Sequence, residues 1–402
     1  MSPQSTYRIL VLNQIAAVGL KRLPHERYTC GKDVIDPDAV LVRSQDMHEM
    51  AIAPSVKAIA RAGAGTNNIP VATMNARGAP VFNAPGANAN AVKELVLTGL
   101  LLAVRNLVPA LQFVDGLKGD DKSLHVQIEE GKKQFAGSEL PNHTLGIIGL
   151  GKIGSLVADT AIKLGMNVLG YDPEITVEAA WSLPSQVKKA NSVEEVLKHS
   201  HFVTLHIPLL DKTRNLIDAK ALELMRPGSV LLNFSRDGIV DDRAVAAALA
   251  AHKLKNYVCD FPSNALRGLG GGAGVIALPH LGASTREAED NSAVMVVDQL
   301  RDYLEHGNVR NAVNFPEVVM AREAPYRVAI ANSNVPNMLG QISTAMAQAK
   351  LNIHNMLNKS RGDMAYTLVD VDSKVPRRVT DTIAAIHGVL AVRYIPVAES
   401  AK

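Results

Sequence analysis

The sequence is poor in cysteine, in aromatic side chains and in net charge. Cys30 and Cys259 are its only cysteines. Two such distant thiols build neither a disulfide framework nor a metal-spaced pair, so no metal and a reducing, cytoplasmic setting are expected. The 42 basic residues nearly balance 39 acidic ones, leaving +3. No basic block or basic–aromatic interleaving occurs, which argues against a nucleic-acid partner. The longest apolar helical stretch, about 89–107, carries Lys93, Glu94 and Arg105. It is too short and too charged to span a bilayer, and no membrane partner is expected. The opening MSPQSTYRILVLNQ lacks the basic-then-apolar order of a signal peptide. There is no repeat or low-complexity tract. The one biased stretch, the glycine-rich 268–274, reads as a mobile loop near the site.

What is present is a large apolar fraction, 47% of 402 residues. That supports real cores over roughly 2.7 domain lengths. The most informative segment runs from Leu145 to Asp172. An apolar run, 145–148, reads as a buried parallel strand. It enters Gly149-Leu150-Gly151-Lys152-Ile153-Gly154, after which Ile153, Leu156, Val157, Ala161 and Leu164 recur at helical spacing. Gly165 suits the helix stop, and a second apolar run, 167–171, ends in Asp172. Strand, glycine turn, helix, strand and acid stand in the order a dinucleotide site requires. Gly149 permits the turn, Gly151 lets backbone approach a pyrophosphate, and Gly154 lets helix pack on strand. The N–H groups of the helix's first turn, at Lys152 and Ile153, face phosphate. Asp172 lies 18 residues past Gly154 (172 − 154), where a carboxylate accepts from ribose hydroxyls and repels a 2′-phosphate, favouring NAD over NADP.

The spacing predicts further strands at 8–12, 39–43, 56–61 and 80–82, then a helix over 89–107 and a charged segment over 115–137. Beyond the glycine turn, strands are expected at 202–207, 229–234, 256–260 and 275–277, with helices near 193–199, 218–225 and 241–251. Each strand ends where polar residues begin: His206, Arg236, Asp260, His280. Ligands of open parallel sheets sit beyond the carboxyl ends of strands. Ser284-x-x-Glu287 reads as a capping box for a helix to about His306. The tail from Tyr326 reads βαββαβ, a ferredoxin-like order. The fold class is therefore α/β: a Rossmann-like doubly wound domain, a smaller flavodoxin-like lobe and a ferredoxin-like module.

Oxidising a secondary alcohol with NAD needs a base for the hydroxyl proton and a cation for the neighbouring acid group. Arg236, in Asn233-Phe-Ser-Arg-Asp-Gly-Ile-Val240, suits the planar bidentate cation. His280, in Leu278-Pro-His-Leu-Gly-Ala-Ser284, suits the base. Taken singly, most arginines are surface charges and most lone histidines are structural; position at strand ends is what distinguishes these two.

With those motifs in view, the chain resembles the D-isomer-specific 2-hydroxyacid dehydrogenases. The resemblance covers nearly the whole length. It rests on the fingerprint at 149–154, His206-Ile-Pro208 with Thr213, 233–242, Pro279-His-Leu-Gly-Ala-Ser-Thr285 and an ACT-like C-terminus. Within the family it is most similar to the branch that oxidises 3-phosphoglycerate to 3-phosphohydroxypyruvate with NAD, the entry to serine synthesis. The resemblance implies a split substrate domain (1–88 and 286–315), an NAD domain (89–285), a linker (316–325) and an ACT-like domain (326–402). It assigns the substrate carboxylate to Arg236, acid/base work to His280, the nicotinamide carboxamide to Asp260, and further cofactor contacts to His206, Pro208 and Thr213. Arg43, Ser44, Arg61, Ala64, Gly65 and Asn88 match substrate-facing loops, with Arg43, Arg61 and the pair Lys132-Lys133 as phosphate candidates. Asn332, Asn334 and Asn352 match positions that hold serine in regulated relatives. A homodimer or homotetramer is implied.

One departure stands out. The family pairs its histidine with a Glu, and Asn264 occupies that place here. An amide orients an imidazole but does not stabilise its charged form by charge. Glu287 and Glu289 are the candidate substitutes. Two other functions fit the same motifs: a dehydrogenase for another 2-hydroxy acid, such as 2-hydroxyglutarate or glycerate, and a non-catalytic NAD(H)-sensing protein.

Overall fold

A computed structural model describes residues 7–270 and 274–396. The chain forms two compact units, one from the residues up to Asn88 together with those from Arg286, the other Ala89–Thr285. Within the glycine-rich stretch, residues 271–273 lie outside the described residues.

The second unit carries a seven-stranded sheet. Its spatial order is Val275–Ala277, Leu254–Cys259, Ser229–Asn233, Phe202–Leu205, Thr144–Ile148, Asn167–Tyr171, Lys188–Lys189. Every pairing is parallel. In sequence order this is 3-2-1-4-5-6-7, the doubly wound arrangement, whose switch point lies between Thr144–Ile148 and Phe202–Leu205. Buried on both faces, these strands read as continuous apolar runs. Ile147, Val157, Ala161, Val168 and Val258 pack on one face, and Ile148, Leu205, Leu231 and Val245 on the other.

Two expectations change here. The single helix over 89–107 is Ala89–Val104 followed by Leu107–Asp115. Asn106, at φ +50°, makes the corner, a conformation Asn tolerates, and its amide donates to Ala136 O at 2.9 Å. The charged segment contains the helix Asp121–Gly131, with Asp120 capping Ser123 N at 3.0 Å. Short strands at Tyr28–Gly31 and Lys188–Lys189 escape the sequence pattern, because edge strands of four and two residues carry too few side chains to show a period.

In the first unit a five-stranded parallel sheet runs Tyr28–Gly31, Tyr7–Val11, Ala39–Val42, Ala58–Arg61, Val81–Phe82, a flavodoxin-like 2-1-3-4-5 order. The helix Arg286–His306 covers one face through Val296, Val297, Leu300 and Leu304. From Tyr326 the chain forms a four-stranded antiparallel sheet, order Ile353–Arg361, Met364–Val371, Tyr326–Ser333, Val389–Pro396. Strand periodicity sends Val328 and Ile330 to one face, under Ile342, Met346 and Ile383. Ala329 and Ala331 face the other way and join Tyr303, Leu304, Val309 and Phe315 in the core of the first lobe. The segment read as a linker is packed: Val318, Met320 and Ala324 are all buried.

A buried ion pair closes this junction. Arg327 and Asp370 are both fully buried. Arg327 Nε donates to Asp370 Oδ1 at 2.6 Å and Nη2 to Oδ2 at 2.8 Å. The remaining donors reach His306 O, Met320 O and Ala321 O, each at 3.0 Å. All five guanidinium N–H groups are thereby used. Such a pair contributes little net stability against apolar replacements, but leaving one partner alone is costly. Arg327→Met is expected to cost about 3–5 kcal/mol in urea unfolding of this unit, and the double variant Arg327→Met/Asp370→Leu to recover most of it. A single-variant loss below about 1 kcal/mol would mean that the site is hydrated in solution.

Candidate active site

The glycine turn follows the central strand at the switch point. Gly149 N donates to Tyr171 O at 2.8 Å, and His206 N to Ile148 O at 2.8 Å, so the ends of both neighbouring strands are sewn to the central one. Gly149 has φ +94°, and a Cβ there would sit 2.4 Å from His206 O. A Cβ on Gly154 would lie 2.0 Å from Gly149 O. At Gly151 a Cβ would meet nothing within 4 Å. The first and third glycines are thus required by the protein's own packing, whereas the space in front of the second is open. Helix Lys152–Lys163 starts at Gly151 without a side-chain cap, and the N–H groups of Lys152, Ile153 and Gly154 have no acceptor among the described residues. Open space faced by unpaired N–H groups at a helix N-terminus is an anion cradle, and a dinucleotide pyrophosphate fits it. Asp172 is oriented by Leu150 N at 2.8 Å on Oδ2 and Glu174 N at 2.9 Å on Oδ1. Its backbone position at the strand end suits a ribose diol.

His206 stands on the next strand end. Burial pushes its imidazole down to about 3, which keeps it neutral and outside proton transfer near pH 7. Nε2 lies 3.0 Å from Thr204 Oγ1, and Nδ1 is buried without a partner. Pro208 and Thr213 form the following loop, where Thr213 Oγ1 accepts from Leu210 N and donates to Pro208 O, each at 2.7 Å.

Arg236 rises from the loop after Ser229–Asn233. Buried Asn233 holds that loop: Oδ1 accepts from Ser235 N at 3.1 Å and Nδ2 donates to Arg236 O at 3.0 Å. Ser235 Oγ donates to Ile207 O at 2.9 Å. The Arg236 side chain is exposed and forms no ion pair with any described residue; Nη1 donates to Ser235 O at 2.7 Å. Partial desolvation moves its pKa down from the ordinary guanidinium value, but a guanidinium stays cationic in proteins. A fixed loop thus presents an unpaired cation.

His280 follows the edge strand Val275–Ala277. Its backbone is left-handed, φ +57°. That conformation is held by Asp260, 1% exposed, at the end of the adjacent strand. Asp260 Oδ1 accepts from Leu281 N and Oδ2 from Gly282 N, each at 2.7 Å, and its carbonyl accepts from His280 N at 3.1 Å. The resemblance places Asp260 at the nicotinamide carboxamide; in the structure each of its oxygens also accepts one N–H of the His280 loop, a bond the sequence did not signal, and each keeps a further lone pair. The His280 ring is exposed and edge-on to Phe261, with centroids 5.1 Å apart. Among the described residues no side chain hydrogen-bonds to it. Asn264, exposed, opens a short 3-10 turn and does not reach it. In the first unit, Glu289 Oε1 accepts from Arg43 Nη2 at 2.6 Å. Cys259, beneath these loops, is buried with its thiol pushed up to about 11, which makes it a packing group rather than a nucleophile.

In the first unit, Arg61 Nε donates to Arg43 O at 2.9 Å, while Asn83 Nδ2 donates to Ala64 O at 2.6 Å. These bonds tie together the loops carrying Arg43, Ser44, Ala64 and Gly65. Ser44 N and Gln45 N share Asn13 Oδ1. Asn88 ends the turn before the helix Ala89–Val104. Lys132 pairs with Glu129 on an exposed surface, as a solvated helix face does. In the C-terminal module Asn332 is 1% exposed and donates to Ser333 O at 2.7 Å. Asn334 donates to Gly362 O at 3.0 Å and Asn352 to Asp372 Oδ2 at 2.6 Å. No group of three or more metal-ligating side chains exists among the described residues, and no single helix there is long and apolar enough to cross a membrane.

Residues 100–282 match the profile of the D-isomer specific 2-hydroxyacid dehydrogenase NAD-binding domain. A Haemophilus influenzae protein named D-3-phosphoglycerate dehydrogenase is 30% identical over 389 residues, 90% of each chain. A Methanocaldococcus jannaschii protein of the same name is 33% identical over 331 residues, 79% of this chain, which spans only 59% of that relative's length. Among solved structures, an NAD+-bound 3-phosphoglycerate dehydrogenase of Entamoeba histolytica matches with a TM-score of 0.60 at 25% identity, covering 77% of this chain and 99% of its own.

The glycine geometry separates two effects. Gly154→Ala is expected to lower stability by about 1–3 kcal/mol, because its Cβ forces helix from turn, and to weaken NAD binding by roughly tenfold or more. Gly151→Ala meets no protein atom, so thermal stability should hold while NAD affinity falls. Calorimetric titration and thermal melting of both variants check this; equal affinity in Gly151→Ala and wild type would remove the pyrophosphate from that space.

Proposed function

The chain belongs to the D-isomer-specific 2-hydroxyacid dehydrogenases, and from that premise we propose that it oxidises 3-phosphoglycerate to 3-phosphohydroxypyruvate with NAD, the first step of serine synthesis. The observation that carries this reading is the end-to-end match, 90% of both chains, to the Haemophilus influenzae relative. NAD, held by the 149–154 turn and Asp172, supplies the hydride acceptor when bound. Arg236 takes the substrate carboxylate in a bidentate grip and aligns the C2 hydroxyl. His280 accepts the hydroxyl proton as the alcohol becomes a ketone, and returns it in reduction. Asp260 acts through His280, holding its loop in the left-handed conformation. Arg43, Ser44, Arg61, Ala64, Gly65 and Asn88 are our candidates for the phosphate and the remaining substrate contacts. The exposed, unpaired Arg236 supports this assignment most directly, since a family member needs one uncommitted cation for a carboxylate.

We read the C-terminal module as ACT-like, with Asn332, Asn334 and Asn352 as candidate serine contacts, and the protein as a homo-oligomer working in the cytoplasm. Leu107, Leu111 and Val114, 40%, 64% and 54% exposed, support association through the second unit.

NADH formation at 340 nm from 3-phosphoglycerate, against 2-hydroxyglutarate and glycerate and with or without L-serine, tests the proposal. Turnover with 3-phosphoglycerate is expected to fall by roughly 10²–10⁴-fold in His280→Ala. Turnover confined to an unphosphorylated acid would replace the substrate, and NAD binding without turnover on any acid would support the sensing role. Suppression by serine would make the module regulatory; its absence would leave assembly as the module's function.

The unpartnered His280 generates a pH prediction. A carboxylate placed beside an imidazole favours its protonated form, and the protonated form cannot accept the hydroxyl proton. Asn264→Glu should therefore move the acidic limb of kcat/KM for alcohol oxidation to higher pH. Superimposable profiles would show that position 264 does not reach the catalytic imidazole in the working enzyme.

A further inference from the structure

A groove of about 880 Å³ runs along the helix Arg286–His306, within the first unit. Gln299, Asp302 and His306 line it from the helix; Gly86, Arg310 and Asn311 line the facing wall. Its chemistry is unusual in one respect. Gln299 is 6% exposed, yet neither its amide oxygen nor its amide nitrogen has a hydrogen-bond partner among the described residues. A buried amide without partners is costly, and Met or Leu would fill the same volume without that cost. Nearby, the Arg310 guanidinium makes no hydrogen bond, its nearest carboxylate being Asp302 at 3.9 Å. Asp302 Oδ1 accepts from Asn308 at 2.9 Å, and Oδ2, facing Arg310, accepts no hydrogen bond. Arg22 and Asp298, also on its lining, are paired with each other.

The groove thus offers a cation and a carboxylate oxygen joined only by a loose 3.9 Å ion pair without a hydrogen bond, and an amide needing both a donor and an acceptor. We propose that it binds a free amino acid as its zwitterion. Arg310 takes the α-carboxylate. Asp302 and the Gln299 oxygen take the ammonium, and the Gln299 N–H₂ donates to the second carboxylate oxygen or to a polar side chain. A simple anion satisfies the cation but leaves the Gln299 oxygen without a donor. The site is separate from Asn332, Asn334 and Asn352. It shares the helix whose last carbonyl, His306 O, is held by Arg327, so occupancy bears on the end of the helix to which the C-terminal module is clamped.

Calorimetric titration of the full-length protein with L-serine, L-threonine, L-asparagine and L-glutamine, with acetate as the anion control, tests this. At least one amino acid should bind, and Gln299→Met and Arg310→Gln should each weaken it by about tenfold or more. Repeating the titrations in the Asn334→Ala background, which removes the candidate contact of the C-terminal module, should show the same dependence on Gln299 and Arg310. Without ligand, Gln299→Met should raise the melting temperature, since it removes an unpaired buried amide. Four results would overturn the proposal: no binding by any of the amino acids; binding abolished by Asn334→Ala but retained in Gln299→Met; acetate binding as tightly as the amino acids; or a lower melting temperature in Gln299→Met, which would make the amide part of a hydrated fold contact. Arg310→Gln, a half-exposed surface change, keeps the binding test decisive should Gln299→Met fold poorly.

Discussion

Asp260 is the contact on which the catalytic end of the second unit depends. A carboxylate at a strand end has nowhere to go in a parallel sheet except the carboxyl edge, and this one is almost fully buried. Its two oxygens are satisfied by consecutive backbone N–H groups, Leu281 and Gly282. Each such charge-assisted bond is worth about 1.5–3 kcal/mol. Together they offset the strain of a left-handed His280, of order 1–3 kcal/mol, and fix the direction in which the imidazole leaves the backbone. A buried carboxylate at the strand end thereby decides where the base we propose, His280, stands.

The same edge gathers the other functional groups for a topological reason. All seven strands point one way, so the chain passes the carboxyl edge after every strand, each time in a loop freed from ladder bonding. Asn233 fixes the Arg236 loop as Asp260 fixes the His280 loop, both by side-chain bonds to backbone. The glycine turn completes the edge with N–H groups that no protein atom satisfies. Fixed polar loops next to unpaired donors and an exposed guanidinium suit two anions, which in the function we propose are a pyrophosphate and a carboxylate.

The C-terminal module obeys a different constraint. Its two central strands, Tyr326–Ser333 and Met364–Val371, are buried on both faces, one under the module's own helices and one against the first lobe. Alanines 329 and 331 keep that second face flat enough for Tyr303 and Phe315 to approach. The Arg327–Asp370 pair gives the junction directionality that apolar packing alone lacks, because its donors match three specific carbonyls, that of His306 at the end of the helix Arg286–His306 and those of Met320 and Ala321 in the segment that follows.

Much of this was written in local pattern. The glycine spacing, the apolar runs and the βαββαβ order determined the fold class, the cofactor and the strand ends that carry Arg236 and His280, because these depend on periodicity and on residues adjacent in the chain. The corner at Asn106, the edge strands at Tyr28–Gly31 and Lys188–Lys189 and the packing of the supposed linker were not legible, since neighbours distant in sequence stabilise them. For the same reason only tertiary structure decided that Asp260 holds the His280 loop, that Glu289 pairs with Arg43, and that Gln299 is buried without a partner among the described residues. A sequence states which groups can form a hydrogen bond. Which of them do so depends on which chain segments folding brings within about 3 Å.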